Sequence, residues 1–475
     1  MSDTNRVRLA YVEEGVLGQT PATPTLRTAR ITGESLVFQI TNTTSNELRA
    51  DRMTADLVQT GAQVGGDLNL ELSHPLSGSF VGDMMAAALF NHWVERPERI
   101  GPPACGAVSG GATFGVASTT GFAAGQLIAT SGYTSAANNG LFRITTVGAG
   151  LTVAGALVNE PATANSRIKL VGLEAASGQI SAVADGLAAT GLDFTTLDLA
   201  VGQFIRIGGA TAGTRFATAG TNGFARIAAI APAKLTLDNR PAGWAADAGT
   251  GVTLHLFLSD RLVNGVTRRS FTIERWFQDL TAELVVMRGM VPGRFDLTVA
   301  AQEIATAQIG FVGMMAEHAT TPLGPALPAT AEPVLNAVAN VGRIAEGGET
   351  VSGPNFIRRF TMKLNNSLRE RQAIGTLGLV DVGAGRIDLS GEIETYFGSS
   401  ALYQKYLDGA ETSLSIRVEA AGRALVLQLP RVKFESGRVN AAGANQDVMA
   451  ELTWRAIRDP LTDAMILIDR FDRTA

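Results

Sequence analysis

The sequence predicts an all-β-dominated fold, a β-sandwich or β-barrel with a few flanking helices, in which one fold occurs twice and small β modules are inserted. Three observations lead to this prediction. Short segments alternate strictly between apolar and polar side chains, and glycines and Asn-Gly pairs separate them. Two different stretches also return later in the chain in the same order.

Composition limits what such a fold can do. The chain has 475 residues, of which 45% are hydrophobic and 17% charged, and its formal net charge is −5. The length allows about two to four domains, each with a core of its own. Without a basic stripe, tight binding to nucleic acid is not expected. Cys105 is the single cysteine and the four histidines are scattered, so the sequence predicts no disulfide, no metal and no cofactor.

No part of the chain looks like a membrane segment or a secretion signal. The densest apolar run, 84–90, is far shorter than the roughly 20 residues that span a bilayer. The first six residues contain no apolar stretch of the kind that directs export. We therefore expect a soluble protein made in the cytoplasm, with no membrane partner.

A weakly charged region interrupts the chain between residues 101 and 265. It holds 17 charged residues among 165, whereas the other 310 residues hold 66. Its two halves resemble each other, since the motifs at 125–128, 139–144 and 151–153 return at 202–205, 222–227 and 235–237. We predict two tandem β modules, 101–180 and 181–265, with Asn-Gly turns between strands. Their low charge argues against catalysis.

The flanking sequence is also duplicated. The order of a strand, an Asn-rich polar loop, a Gly-bounded strand, a helix and three further strands occurs once around the insert and once near the C-terminus. This order predicts repeat A in two parts, 1–100 and 266–320, then a linker at 321–355 and repeat B at 356–475. Apolar stripes predict the two helices, at 80–89 and 402–407, with Ser399 or Ser400 as a cap for the second helix and Gly409 at its end.

The repeat strands predict a sheet with one dry and one wet face. In 386–397, Ile387, Leu389 and Ile393 fall on one side, and Glu392 and Glu394 fall on the other. The same alternation occurs in 67–72, 305–313 and 447–454, so the wet face is polar and acid-leaning. Paired carboxylates such as Glu392 and Glu394 can support acid–base chemistry, but no nucleophile, phosphate-loop or metal motif accompanies them. A solvated face is favoured over an active site.

Several stretches carry a family resemblance. They are 11–24, 33–36 with Gly33-Glu34-Ser35-Leu36, 42–49, 57–61, 84–93, 402–409, 429–434, 445–448 and 458–460. Together they resemble the tail tube proteins of long, flexible-tailed bacteriophages (siphophage major tail proteins). The resemblance covers about 6–93 and 270–471 but not 101–265. It implies a β-sandwich whose sheets join between subunits into a barrel, and rings of it that stack into a hollow tube.

The resemblance also implies roles and partners. Such tubes are pseudo-sixfold, so a chain with two copies implies a homotrimeric ring. The expected partners are the chain itself, the tail terminator, distal tail and tape-measure proteins, and double-stranded DNA in transient passage. The expected location is the virion tail, assembled in the bacterial cytoplasm. The residues expected to line the lumen are Asp67, Asn69, Glu71, Thr306, Gln308, Glu392, Glu394, Glu451 and Thr453.

Two polar loops are candidates for contacts between subunits or rings. The residues expected to make these contacts are Arg49, Asp51, Arg52, Arg369, Glu370 and Arg371. Simple surface loops are an equal alternative for these residues, and an outward-facing solvated surface is the alternative for the lumen set. The inserted modules are expected on the tube exterior. The competing function is a carbohydrate-binding or adhesive surface protein that uses those modules, and an enzyme with paired acids ranks third.

Overall fold

The computed structural model describes residues 3–351, 355–441 and 443–475. Residues 1 and 2 of the N-terminal segment and residues 352–354 of the predicted linker lie outside the described residues. Within the described ranges the chain forms 34 strands, two α-helices and five short 3-10 turns. The all-β-dominated prediction is therefore confirmed.

The first part of repeat A contains five strands and one helix. They are β1 (Val7–Glu14), β2 (Leu26–Thr28), β3 (Gly33–Glu34), β4 (Val37–Thr44), β5 (Leu57–Glu71) and α1 (Phe80–Ala88). A 3-10 turn at Thr4–Arg6 precedes β1.

In the structure the inserted sheet runs from residue 98 to residue 258, slightly offset from the predicted 101–265, and it contains thirteen strands. They are β6 (Glu98–Ile100), β7 (Cys105–Ser109), β8 (Thr113–Val116), β9 (Gln126–Ser131), β10 (Gly140–Val147), β11 (Gly150–Val153), β12 (Arg167–Ala175), β13 (Ile180–Val183), β14 (Gly186–Ala189), β15 (Phe204–Ile207), β16 (Gly223–Ala231), β17 (Lys234–Asp238) and β18 (Leu254–Leu258). Its 3-10 turns are Ala136–Asn138, Phe194–Leu197, Ala212–Thr214 and Ala219–Thr221.

Six strands follow the insert. They are β19 (Asp260–Val263), β20 (Ser270–Phe277), β21 (Leu284–Ala300), β22 (Thr306–Gly313), β23 (Met315–Ala319) and β24 (Ala326–Leu327). The remaining elements are β25 (Val341–Glu346), β26 (Glu349–Thr350), β27 (Ile357–Asn365), β28 (Arg369–Arg371), β29 (Asp381–Gly383), β30 (Asp388–Tyr396), α2 (Ala401–Leu407), β31 (Glu411–Ala420), β32 (Arg423–Asn440), β33 (Met449–Ala456) and β34 (Leu467–Phe471). The predicted linker thus contributes β24, β25 and β26.

An antiparallel run of eight strands organises the two repeats. Its order is β4-β5-β22-β21-β27-β30-β33-β32. The first four strands come from repeat A and the last four from repeat B, and strands with the same place in each repeat hold the same place in the sheet. The same four-stranded unit therefore occurs twice within one sheet.

Each repeat is a sandwich because one long strand takes part in two layers. The first half of β21 pairs with β20 and the first half of β32 pairs with β31, whereas their second halves belong to the eight-stranded run. Apolar side chains from both layers and both repeats fill one continuous core, among them Leu68, Leu297, Met362 and Trp454. The two repeats therefore share a core as well as a sheet.

The two helices close this core, as their apolar stripes predict. The Ser79 hydroxyl caps α1 by accepting a hydrogen bond from Gly82 N at 3.1 Å, and Met84 and Met85 are buried. Ser400 stands at the N-cap position of α2 but makes no side-chain capping bond, and Gly409 follows the helix with a φ of +59°. Among the seven described residues of α2, Leu402 alone is buried, whereas eight of the nine residues of α1 are buried, so α2 packs less deeply.

The inserted strands form one sheet with two cores. The run β17-β16-β15-β18 continues into β12-β9-β10-β11 through pairing of β18 with β12, so the two halves mirror each other. Separate apolar clusters lie under them, one with Phe114 and Leu170 and one with Phe194 and Leu256.

The Asn-Gly pairs of the insert do not form hairpin turns, so that prediction was wrong. Asn139 Oδ1 accepts from Tyr133 N at 2.9 Å, and its Nδ2 donates to the Tyr133 carbonyl at 2.8 Å. Asn222 holds Phe216 in the same way, at 2.9 and 3.0 Å. Each asparagine thus clamps the 3-10 turn before a strand, which a side-chain amide can do because it both donates and accepts.

The insert packs on the outer layer of repeat B. Phe204 and Phe224 of the insert contact Val426 and Phe471, which face away from the central core. The rings of Phe224 and Phe471 meet edge to face at 5.2 Å. The modules therefore lie on the side of the molecule opposite the polar face of the eight-stranded run.

Buried charges reinforce this attachment. Lys169 of β12 contacts Asp260 and lies 2.6 Å from Asp472, and Arg470 of β34 lies 2.5 Å from Asp260. Burial would raise the pKa of Asp472, but Lys169, His74 and neighbouring arginines hold it well below its ordinary value. The charges compensate one another, which a buried carboxylate requires.

Candidate functional site

The structure brings all nine predicted lumen residues to one face of the eight-stranded run. In repeat A, Glu71 lies opposite Thr306 and Asn69 opposite Gln308, whose amide donates to Asn69 Oδ1 at 2.9 Å. Asp67 shares this face because it alternates with Leu68.

Repeat B repeats the arrangement across the join. Glu392 lies opposite Thr453, and Glu394 lies opposite Glu451. Directly opposed residues in an antiparallel pair point to the same side. The row Thr306, Thr298, Thr361, Glu392 crosses from one repeat to the other through successive opposed pairs, so both sets belong to one surface, which we call the polar face.

The polar face is concave at its centre. A depression of about 460 Å³ lies over the join between the repeats, and its lining includes Asn69, Asp296, Gln308, Lys363 and Glu392. The side chains that alternate with these residues, such as Leu70, Leu297 and Ile393, are buried. The face is thus the wet side of a sheet whose other side is core.

The polar face carries more positive charge than the sequence analysis expected. Its carboxylates include Asp67, Glu71, Asp296, Asp388, Glu392, Glu394 and Glu451, and its cations include Arg294, Arg359, Lys363, Lys433, Arg438 and Arg455. The expected acid-leaning face is in fact nearly balanced. The cations come from β21, β27 and β32 and from the end of β33, whereas the lumen set was chosen from β5, β22, β30 and β33.

Carboxylates engage most of these cations. Arg294 lies 2.9 Å from Asp67 and 3.4 Å from Asp296. Arg438 pairs with Glu451, and Arg455 pairs with Asp388 and with Glu435. Exposed pairs of this kind add little to stability, but each leaves less free positive charge for a phosphate group.

Lys363 has one carboxylate directly opposite it on the same face. It lies opposite Asp296 on one side and Ser390 on the other. Burial raises the pKa of Asp296, and the charges of Arg294 and Lys363 oppose this rise. The face therefore presents hydroxyl and amide groups, several paired charges, and the cations Arg359 and Lys363 of β27.

The predicted contact residues fall into two separate groups. Arg49 and Asp51 form an exposed ion pair at 2.5 Å at the tip of the β4–β5 hairpin, and Arg52 follows with a φ of +63°. Arg369, Glu370 and Arg371 form the exposed strand β28, which pairs with β29. The structure does not bring the two groups together within one chain.

Two aromatic residues of the insert, Tyr133 and Trp244, do not form an open platform of the kind that binds carbohydrate. Tyr133 is buried in the first module, in contact with Phe114. Trp244 is half-buried, and its indole N–H donates to the Val183 carbonyl at 2.8 Å. Among the residues that the structure describes, no group of three or more His, Cys, Asp or Glu side chains could hold a metal ion.

Two features of the site could be recognised only in part from sequence. Side chains of β21 and β27 alternate between the two faces of the sheet, as those of the predicted strands do. The alternation along residues 294–300 and 359–365 could therefore have placed Arg294 and Lys363 on the polar face. The two open edges of the eight-stranded run, β4 and the second half of β32, had no sequence signal, because strand order is a property of the fold.

Fold and site together define a structural β-sandwich protein with two copies of one unit and two open sheet edges. A family model described as phage tail tube protein matches residues 4–456. The chain belongs to this phage tail tube protein family, and the match spans the insert, which the resemblance had left uncovered. A search of the curated proteins finds no match.

Membership in the family fixes the general role. A tail tube protein is a structural component of the virion tail and assembles with itself into a tube. Across the described parts of the chain, neither helix is long and apolar enough to cross a membrane.

Proposed function

We propose that three copies of this chain close into a ring, and that stacked rings form the tube through which the phage genome is ejected into the host. One observation carries the proposal. The eight-stranded run contains two equivalent four-stranded units side by side, and along the described residues its two outer edges pair with no further strand. Open edges are a liability for a soluble chain, and ring closure removes them.

The polar face supplies the lumen in this proposal. Three chains of eight strands each give a barrel of 24 strands with approximate sixfold symmetry. The inserted modules pack on the opposite side of the core, which supports their placement on the exterior. The nine predicted residues and the ion-paired arginines would then surround the bore, where few free cations are available to retain phosphate.

The proposal extends to the partners and the site of assembly. Tail terminator, distal tail and tape-measure proteins would meet the ends and the interior of the tube, and assembly would take place in the cytoplasm of the bacterial host. The role needs neither catalysis nor a cofactor, because a wall of paired charges acts by shape and charge alone.

The test is imaging of the purified full-length protein. Native mass spectrometry is expected to give three times the 49.6 kDa chain mass. Cryo-electron microscopy is expected to show rings or tubes with Asn69 and Glu392 facing the bore. A monodisperse monomer at all concentrations, or a bore lined by the inserted modules, would contradict the proposal.

A further inference from the structure

The chain contains its own model of a subunit contact. Repeats A and B join through β21 and β27, where residues 294–300 pair with 365–359 in unbroken antiparallel register, Arg294 opposite Asn365 and Phe295 opposite Leu364. We call this pairing the internal seam. In a ring built from equivalent units, the contact between chains has to reproduce it, so this inference rests on the proposed function.

We call the corresponding contact between two chains the external seam. Its first side follows from a β-bulge that occurs at the same place in β21 and in β32. In β21 the register shifts between Pro292 and Arg294, opposite Phe311 and Gly310. In β32 it shifts between Phe434 and Ser436, opposite Trp454 and Thr453. Ser436 is therefore the counterpart of Arg294, and Gly437 is the counterpart of Phe295.

The second side follows from the strand that comes first in each repeat in the order of the sheet, β4 in repeat A and β27 in repeat B. Gly66 lies opposite Phe311 and Gly391 lies opposite Trp454, which makes β5 the counterpart of β30. Val37 pairs with Gly65, one residue before Gly66, just as Lys363 pairs with Ser390, one residue before Gly391. Counting on from Lys363, the counterparts of Leu364 and Asn365 are Phe38 and Gln39.

The exposure of apolar side chains shows that the β4 edge is uncovered in the single chain. Leu364 is 1% exposed because β21 lies against it, whereas its counterpart Phe38 is 38% exposed and Val37 is 51% exposed. On the other edge, the counterpart of Phe295 is Gly437, a small residue beside Tyr406 and Leu452. Because Gly437 has no side chain, Phe38 can approach the Tyr406 ring that lies over this glycine.

The adjoining loops point the same way. In repeat B, Leu368 packs across the internal seam against Val291 of repeat A, and Asn366 Nδ2 donates to the Ala88 carbonyl at 2.8 Å. The repeat A sequence motif that matches 366–369 is 46–49 at the tip of the β4–β5 hairpin, and its Leu48 is fully exposed. Leu48 is apolar like Leu368, but in the single chain it is exposed to solvent and does not pack across a seam.

We propose that β4 of one chain pairs antiparallel with the second half of β32 of the next chain, with Gln39 opposite Ser436, Phe38 opposite Gly437 and Val37 opposite Arg438. Phe38 packs beside Tyr406, which fills the space next to Gly437, and the β4–β5 hairpin crosses the external seam as 366–369 crosses the internal one. The partner is a second copy of this chain, and its contact residues include the predicted Arg49 and Asp51.

Cysteine cross-linking tests this register in the full-length protein. Directly opposed residues lie about 5 Å apart between Cα atoms, within the reach of a disulfide. Gln39→Cys with Ser436→Cys is expected to form dimers and trimers, and nothing larger, on a non-reducing gel. The two sites lie on opposite edges of the eight-stranded run, seven spacings of about 4.8 Å, so a bond within one chain is not expected. Native Cys105 is buried and does not compete.

The matched control moves one cysteine along the same strand. Gln39→Cys with Asn440→Cys displaces the pair by four residues, about 13 Å, which is too far for a disulfide. Strong cross-linking of this control pair would overturn the register. So would the absence of cross-linking in the first pair when the reduced protein forms rings in the microscope, and the ring itself would then stand.

A second variant tests the packing without relying on a disulfide. Phe38→Ser is expected to leave the melting temperature of the isolated chain unchanged, since Phe38 is exposed there, and to reduce the fraction of trimer at least tenfold at limiting concentration. An unchanged trimer fraction would overturn the role of Phe38. If the wild-type protein forms no rings under any condition, the proposed function itself fails, and this is distinct from a ring with another register.

Discussion

At the scale of single residues, the charges buried between the insert and repeat B differ in their electrostatic state. Asp472 is held ionised by Lys169 and its neighbours. Asp469 is fully buried, and its oxygens accept from Phe204 N at 3.0 Å and from the Ser259 hydroxyl at 2.8 Å. Burial raises the pKa of Asp469 to about 7. These bonds alone do not offset the loss of water around a carboxylate.

The raised pKa predicts a pH-dependent effect of Asp469→Asn. Between the unfolded value near 4 and the folded value of about 7, the folded protein holds a proton that the unfolded chain has lost. Wild-type stability from this group is therefore greatest at low pH and falls until pH 7. Asparagine does not ionise, so the variant should gain on the order of a few kcal/mol relative to wild type between pH 5 and pH 8. Thermal melting at both pH values measures this gain.

Asp472→Asn is the matched control for that experiment. Its depressed pKa means that its contribution is present above pH 4 and is lost only under strongly acidic conditions. The variant should be destabilised to the same extent at pH 5 and at pH 8. If Asp469→Asn showed the same pH-independent loss, a neutral form of Asp469 near neutral pH would be excluded.

At the scale of elements, repeat B depends on a glycine that lies directly beneath a large buried side chain. Gly391 of β30 lies beneath Trp454, which is fully buried and stacks on Phe360 with ring centroids 5.7 Å apart. A Cβ at residue 391 would lie 2.0 Å from the Thr361 carbonyl oxygen and 2.4 Å from the indole. The backbone has no room to yield, because β30 is paired on both sides.

Gly391→Ala is therefore expected to destabilise the protein by about 3 kcal/mol, as overpacking in a rigid core does. Gly61→Ala in β5 is the matched strand control, since its nearest atom, Thr41 Cβ, would lie 3.8 Å from the new methyl group. The control should stay within about 1 kcal/mol of wild type. Urea unfolding of both variants measures the difference, and equal losses would show that the Trp454 contact is not the cause.

The elements were the part of the fold that sequence predicted best. Alternation placed Ile393 in the core and Glu392 on the wet face because the side-chain period of a strand is fixed by its backbone. The prediction of Asn-Gly hairpin turns was wrong because the same dipeptide also occurs where the asparagine side chain holds a preceding loop. The cations of the polar face were missed because Arg294 and Lys363 lie on strands that the sequence did not connect to the others.

At the scale of the whole molecule, the insert leaves and rejoins the rest of the chain at one place. Its ends meet where Val94 and Arg261 exchange backbone hydrogen bonds of 2.8 and 3.0 Å. The join therefore needs only a short loop when the modules are removed. The surface that they cover includes Val426 and Phe471, which removal would expose to water.

Replacing residues 96–259 by a short Gly-Ser loop, with Val426→Thr and Phe471→Thr to suit the uncovered surface, should preserve ring assembly. The rings should have the same bore and a smaller outer diameter, because the modules pack away from the polar face. Negative-stain microscopy compares the two diameters with those of the full chain. A folded variant that stays monomeric, or a change in the bore, would show that the modules take part in ring closure.

The sequence alone predicted the alternating strands of the two repeats and the insert, the wet and dry sides of residues 67–72, 305–313, 386–397 and 447–454, the recurrence of one unit and the weakly charged stretch that interrupts it. These are local properties, set by side-chain period and by order along the chain. The sequence did not predict the linker strands β24, β25 and β26. Only the tertiary structure decided that the two units lie edge to edge through β21 and β27, that arginines pair with the acids of the polar face, and that β4 and β32 are left open. These depend on contacts between residues far apart in sequence, for which strand periodicity carries no information.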